Sequence, residues 1–342
     1  LLFLHQLVFQ RRRVNFSVLV LSILLATVSL LLCSFIIYSI LFSHRSQLLN
    51  ITSTESLTVD REQRKKAEIE VNASYLLTLL ITKRKVCVLE ASTDRLESSK
   101  HEFLVEHIES ARLLSYQNLS HNGAPVHPLQ FQRLARSLGI DTDCHVIIYD
   151  RGEMIWATYA HWIFTLFGHE KVSILAGGFE RWKVMQKTSP QYRTVSGLGT
   201  FVQRMGNFQA TWKKEVICTF DDVITNSELK TYSLEYDGYG KGAIFGHIRS
   251  AVNIPIDTVY SWTQQKWKDN RELEKIFTEH GIERSQPVIV YCSTSIRASM
   301  IWFALQKAGY SAAIYFGSWP EWLIKAPDYL KIISDKILKT ET

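Results

Sequence analysis

A long internal repeat is the feature that most restricts what this chain can fold into. His107-Ile108-Glu109-Ser110-Ala111 returns roughly 140 positions later as His247-Ile248-Arg249-Ser250-Ala251. Leu138-Gly139-Ile140 leads into Val146-Ile147-Ile148-Tyr149-Asp150, just as His280-Gly281-Ile282 leads into Val288-Ile289-Val290-Tyr291-Cys292. Phe167-Gly168 closes an aromatic helical stretch, as Ala308-Gly309 does. Gly177-Gly178-Phe179-Glu180-Arg181-Trp182 mirrors Gly317-Ser318-Trp319-Pro320-Glu321-Trp322. Each copy alternates strands with helices. That predicts an α/β protein with two tandem domains, each a mostly parallel sheet covered by helices on both faces.

The copies differ where chemistry is expected. Val288-Ile289-Val290-Tyr291 reads as a buried strand, and from Ile296 the pattern turns helical, with Gly309 as its stop. Cys292 therefore sits in the bend between a strand end and a helix N-terminus. Free main-chain N–H groups and the helix dipole converge there, an arrangement suited to an anion. A thiol in that position is expected to ionise more readily, and the thiolate is the nucleophile. Asp150 takes its place in the first copy, so only the second copy carries a nucleophile. The remaining cysteines (Cys33, Cys87, Cys144 and Cys218) show no CxxC pair or zinc spacing, so no structural metal is indicated. Cys87, Cys144 and Cys218 fall in or beside strand-like segments and read as small buried apolar residues.

The 342-residue length calls for two domains plus extras, and 46% hydrophobic content supports real cores. The net charge of +6 is mild, and outside Arg11-Arg12-Arg13 no long basic block indicates nucleic acid. After those arginines, Val14 to Ser43 carries no charge, and it exceeds the roughly 20 apolar residues needed to cross a bilayer. The apolar core of a signal peptide, roughly 7–15 residues, is shorter. Only Arg45 follows closely behind, which favours a cytoplasmic N-terminus, with the body in a lumen or outside the cell. Sequons at Asn50, Asn72 and Asn118 are compatible with that side.

The expected partition is a basic N-terminus at 1–13, a single membrane-spanning helix at 14–43 and a polar stalk at 44–80. A first domain follows at 81–187, a connector at 188–213, a second domain at 214–330 and a tail at 331–342.

The tandem arrangement, the stretch from Gly246 to Pro255, the six-residue loop starting at Cys292 and the terminal Gly317–Trp322 motif together resemble the two-domain rhodaneses. These are the thiosulfate and 3-mercaptopyruvate sulfurtransferases, and the resemblance covers roughly residues 80 to 328. It implies two rhodanese-like domains, the first an inactive copy and the second catalytic, with no cofactor. A small anionic donor would load a sulfur onto Cys292, and a thiol, cyanide or thioredoxin-like protein would collect it. The cradle for the persulfide would be Ser293, Thr294, Ser295, Ile296 and Arg297. The alternative is a membrane-anchored rhodanese-like binding or scaffold module with weak or no catalysis. Family members often work in mitochondria, which stands as the alternative location.

Loop length separates this chemistry from phosphate chemistry. Cysteine phosphatases on a similar fold separate Cys and Arg by five residues, whereas Cys292 and Arg297 are separated by four, a smaller loop that suits a single sulfur. The chain also departs from the family. Ser295 stands where the loop usually has Gly, and at a positive φ a serine costs roughly 1 kcal/mol. Mercaptopyruvate enzymes resemble one another in two arginines upstream of the His247 motif. Between Cys218 and Gly246 this chain offers Lys230 and Lys241, which supply charge without a bidentate fork. Lys241, Lys230 and His127, the last aligned with a family histidine, are the expected substrate-binding residues. His107 and His247 are expected to fasten loops to the sheets.

Overall fold

The computed structural model describes residues 69–121, 123–225, 231–233 (backbone) and 246–333. The expected span at 14–43, most of the stalk, Lys230 and Lys241 lie outside the described residues. Among the described residues no helix is long and apolar enough to cross a membrane.

Two lobes repeat one topology. The first lobe has strands β1 (Glu70–Val71), β2 (Val86–Ala91), β3 (Ala111–Leu114), β4 (His145–Tyr149) and β5 (Val172–Leu175). The second has β6 (Ile217–Cys218), β7 (Thr231–Ser233), β8 (Val252–Asn253), β9 (Val288–Tyr291) and β10 (Ala312–Tyr315). The sheet orders are β1-β5-β4-β2-β3 and β6-β10-β9-β7-β8, all parallel. Because both faces are covered, central strands are continuous apolar runs, and β4 and β9 are buried along almost their whole length. The repeat extends to single hydrogen bonds. Ile108 N–H donates to Tyr149 Oη, and Ile248 N–H to Tyr291 Oη.

The helices of eight or more residues are α1 (Ala73–Ile81), α2 (Leu96–Val105), α3 (Pro128–Ser137), α4 (Ile155–Leu166), α5 (Gly178–Thr188), α6 (Asn270–Glu279), α7 (Ala298–Lys307) and α8 (Ser318–Lys325). Surface helices show one apolar stripe, as with Phe131 and Ala135 on α3 or Leu273 and Phe277 on α6. α6 is started by a capping box between Asp269 and Glu272. By contrast α4 and α7 are buried nearly all round, because they pack against each other between the lobes. Thr158 and Ser299 share a 2.8 Å hydroxyl hydrogen bond in that seam, where His161 packs against Trp302 and Phe303. One apolar cluster therefore runs from Cys87 through both helices to Ile314. The helices that follow Asp150 and Cys292 are the ones that join the lobes.

Three expectations are corrected. The stalk does not run to residue 80. Ile69–Val71 accepts sheet hydrogen bonds from Ile174 and Ala176, and α1 buries Leu76, because these residues complete the edge of the first sheet. Residues 331–333 are no free tail either, since they pair antiparallel with Gly246–Ile248. Finally, Cys87 and Cys144 are not separate buried thiols but a disulfide, their Cα atoms 6.3 Å apart, linking β2 to the residue just before its neighbour β4. Cys218 remains a free thiol, and burial pushes it up to about 11.

Candidate active site

β9 ends at Tyr291 and α7 begins at Ala298, so residues 292–297 form the bend. Cys292 lies at its floor, 2% exposed, and its Sγ accepts the Ala298 N–H at 3.4 Å. The amides of Thr294, Arg297 and Ser295 act on the same sulfur. Main-chain N–H groups thus converge on one atom, as the bend predicted. The thiol is nevertheless not made more acidic. Burial pushes Cys292 up, and this outweighs the amides that pull it down. The expected easy ionisation is overturned because the sulfur itself is buried at the floor of the loop.

Ser295 adopts φ +67° and is fully buried. A left-handed serine is strained by roughly 1 kcal/mol, and two hydrogen bonds hold it there. Its Oγ donates to the Phe316 carbonyl at 2.8 Å and lies 3.2 Å from Ser318 Oγ. Ser318 is itself left-handed at φ +51°, donating to the Tyr315 carbonyl. Trp319 N–H then donates to the Cys292 carbonyl at 3.0 Å. The Gly317–Trp322 motif is therefore a brace behind the cysteine loop. Arg297 is half-buried and reaches Cys292 through its main-chain amide; Ser293 and Ile296 are half-buried and Thr294 is exposed.

The first lobe keeps the same scaffold around a carboxylate. Asp150 Oδ1 accepts the N–H groups of Gly152 and Met154 at 3.0 Å, and Oδ2 accepts that of Ala157 at 3.1 Å. Phe179 N–H donates to the Asp150 carbonyl, matching Trp319 and Cys292. A carboxyl side chain fills this cradle, and burial pushes it above the usual carboxylate range although the three amides pull it down.

Sequence reasoning missed the cover. A hairpin of the first lobe, Ser120–Pro125, lies on the cysteine loop; a Cβ on Gly123 would fall 2.1 Å from the Thr294 carbonyl oxygen. Tyr159 Oη donates to the Gly123 carbonyl, Gly123 N–H donates to Ser120 Oγ, and Tyr116 Oη reaches the same hydroxyl. Burial pushes both tyrosines up. Ala298 was missed too, though it is the next amide along the loop. His127 is exposed and caps α3, its Nδ1 accepting the Leu129 N–H. His107 Nδ1 lies 2.7 Å from the Phe103 carbonyl of α2 and His247 Nδ1 lies 3.0 Å from the carbonyl of the adjoining Ile248, so both contacts are local to the chain around each histidine. Among the described residues no cluster of His, Cys, Asp or Glu could hold a metal.

Twin parallel-sheet lobes with one amide-lined cysteine loop define a class, and the chain belongs to it: the rhodanese-like domain matches twice, at residues 80–185 and 229–325. The chain is similar to 3-mercaptopyruvate sulfurtransferase of Escherichia coli (strain K12), 29% identical over 246 residues that cover 66% of this chain and 83% of the relative. It is also similar to thiosulfate sulfurtransferase of Gallus gallus, 28% identical over 251 residues, covering 68% and 84%. Among solved structures, SseA from Escherichia coli, a 3-mercaptopyruvate enzyme with the rhodanese fold, superposes with TM-score 0.63 at 25% identity, covering 74% of this chain and 99% of that one.

Proposed function

We propose that this chain is a sulfurtransferase that carries a sulfane sulfur on Cys292. The observation that supports this most directly is the convergence of main-chain amides on the Cys292 sulfur. With thiosulfate as donor, the Cys292 thiolate attacks the outer sulfur. The new S–S bond forms as the old one breaks, and sulfite leaves with the bonding pair. The resulting persulfide anion is held by the same amides. A second thiolate, free or on a thioredoxin-like protein, attacks the outer sulfur, leaves as the new persulfide and returns Cys292 to thiolate. Cyanide accepts in the same way to give thiocyanate. With 3-mercaptopyruvate, pyruvate leaves instead, once the carbanion formed at its methylene carbon is protonated.

A membrane-anchored setting accords with the uncharged run at 14–43 and with the disulfide, since such bonds persist in oxidising compartments. Asn72 and Asn118 are exposed, as glycosylation would require. We therefore place the lobes on the lumenal or extracellular side.

The near-complete burial of Cys292 favours a second reading, a binding module with little turnover. Mass spectrometry of the full-length protein after thiosulfate or 3-mercaptopyruvate treatment separates the two. A gain of one sulfur atom, lost in Cys292→Ser and removed by added thiol, supports transfer; no gain with either donor rejects it.

A further inference from the structure

The amides that grip Cys292 all belong to the second lobe, yet one of the peptides that carry them is held from the first. Gly123 packs so closely on Thr294 that a Cβ there would fall 2.1 Å from the carbonyl oxygen and 2.9 Å from its carbon. The oxygen therefore faces the hairpin. In a planar trans peptide the carbonyl and the following N–H point opposite ways. The Ser295 N–H is accordingly turned away from the hairpin and into the loop, where it acts on the sulfur.

The strain at Ser295 gives this peptide a reason to turn over. Rotating it by half a turn takes Ser295 out of the left-handed region that it occupies at φ +67°. The same rotation withdraws the Ser295 amide from the sulfur and aims the Thr294 oxygen there instead. The bonds of the Ser295 hydroxyl to Phe316 and Ser318 hold the side chain and leave that peptide free to rotate. Gly123 meets the oxygen itself, and a C–H···O contact from its methylene favours the orientation observed.

Gly123 is in turn fixed at both of its polar groups. Its N–H donates to Ser120 Oγ at 2.8 Å, and its carbonyl accepts the Tyr159 hydroxyl at 3.1 Å. Ser120 is 5% exposed, and its oxygen also accepts the Tyr116 hydroxyl at 3.2 Å. Tyr116 is wedged edge-on against Trp156 and Tyr159, with ring centroids 5.1 and 5.4 Å away. Tyr159 is fully buried on α4, which packs against α7, the helix that leaves the cysteine loop.

We infer that Ser120 and Tyr159 are positioning residues for sulfur transfer: through Gly123 they hold the Thr294–Ser295 peptide with its N–H toward Cys292. This rests on the sulfur-transfer reading, and it gives the lobe without a nucleophile a part in the chemistry of the other.

The test uses Ser120→Ala and, separately, Tyr159→Phe in the full-length protein. Rapid-quench mass spectrometry follows persulfide formation from thiosulfate. The rate at saturating donor should fall at least tenfold in each variant. The thiosulfate concentration giving half that rate should stay within threefold of the parent value, because the lost amide acts on the sulfur and not on the donor. Hydrogen exchange at residues 293–298 should be at least tenfold faster in both variants, while the Asp150 loop, residues 150–157, exchanges as in the parent. With a parent that loads sulfur, an unchanged rate or unchanged exchange at 293–298 in either variant overturns the inference and leaves the sulfur-transfer reading standing. Equal loosening of the Asp150 loop overturns it too, since the effect is then one of folding. A parent that gains no sulfur from thiosulfate or 3-mercaptopyruvate overturns both.

Discussion

Asp150 and Cys292 occupy the same station in the two lobes, and each is gripped by main-chain amides from the loop that follows it. In the first lobe the gripped group is a carboxyl, held through both of its oxygens. In the second it is a sulfur that can exchange bonds. One duplicated scaffold thus gives a structural half and a chemical half. The two helices that leave these loops, α4 and α7, form the seam between the halves, so the position of the cysteine loop depends on the packing of both.

Ser295 should be more sensitive to loss of its hydroxyl than to loss of its side chain as a whole. Ser295→Ala keeps the left-handed strain and leaves the buried Phe316 carbonyl without its donor, so a loss of about 1–3 kcal/mol is expected. Ser295→Gly also loses the donor but removes roughly 1 kcal/mol of strain, and should be the more stable of the two. Denaturant unfolding of both variants checks the order; glycine below alanine would refute it.

Gly123→Ala should depress sulfur transfer at least tenfold with the fold retained. The new methyl would overlap the Thr294 carbonyl, and the backbone sits at φ +89°, so the hairpin must shift off the cysteine loop. Steady-state rates with circular dichroism as the folding control decide it. An unchanged rate would mean that the cover is dispensable.

Sulfur loading should accelerate as pH rises through neutrality, without levelling near pH 7. The thiolate is the reactive form, and burial holds the Cys292 thiol above its ordinary range, so its ionised fraction keeps growing on the alkaline side. A rate profile of persulfide formation that plateaus below pH 7 would contradict this.

Breaking the Cys87–Cys144 bond should cost about 4 kcal/mol. The two residues are 57 apart in sequence, and the linkage removes that loop's freedom from the unfolded chain. Unfolding of Cys87→Ala with Cys144→Ala, compared with the parent under oxidising and reducing conditions, measures it. Equal stability of the oxidised and reduced parent would show that the bond contributes nothing.

Stability should fall as pH drops from about 6.5 towards 4. His161 and His169 are buried, and burial holds both down at about 4. The unfolded chain therefore takes up protons in that window that the folded chain refuses, at about 1.4 kcal/mol per pKa unit and group. Below pH 4 the penalty no longer grows. His169→Phe should flatten the slope of unfolding free energy against pH, and a slope unchanged in that variant would remove histidine burial as its cause.

What the sequence by itself determined was local and periodic. The repeat specified two matching α/β lobes, and a strand run followed by small polar residues and a helical pattern put Cys292 in an amide-lined bend. Such signals lie within a few residues of each other, so one chain read in order reveals them. The pairing of Cys87 with Cys144, the Ser295–Phe316 brace, the hairpin against Thr294 and the burial that raises the Cys292 thiol depend on segments distant in sequence. The tertiary structure decided those, because burial and cross-lobe contact are properties of how the lobes pack, and no local pattern encodes which face of one will shield the other.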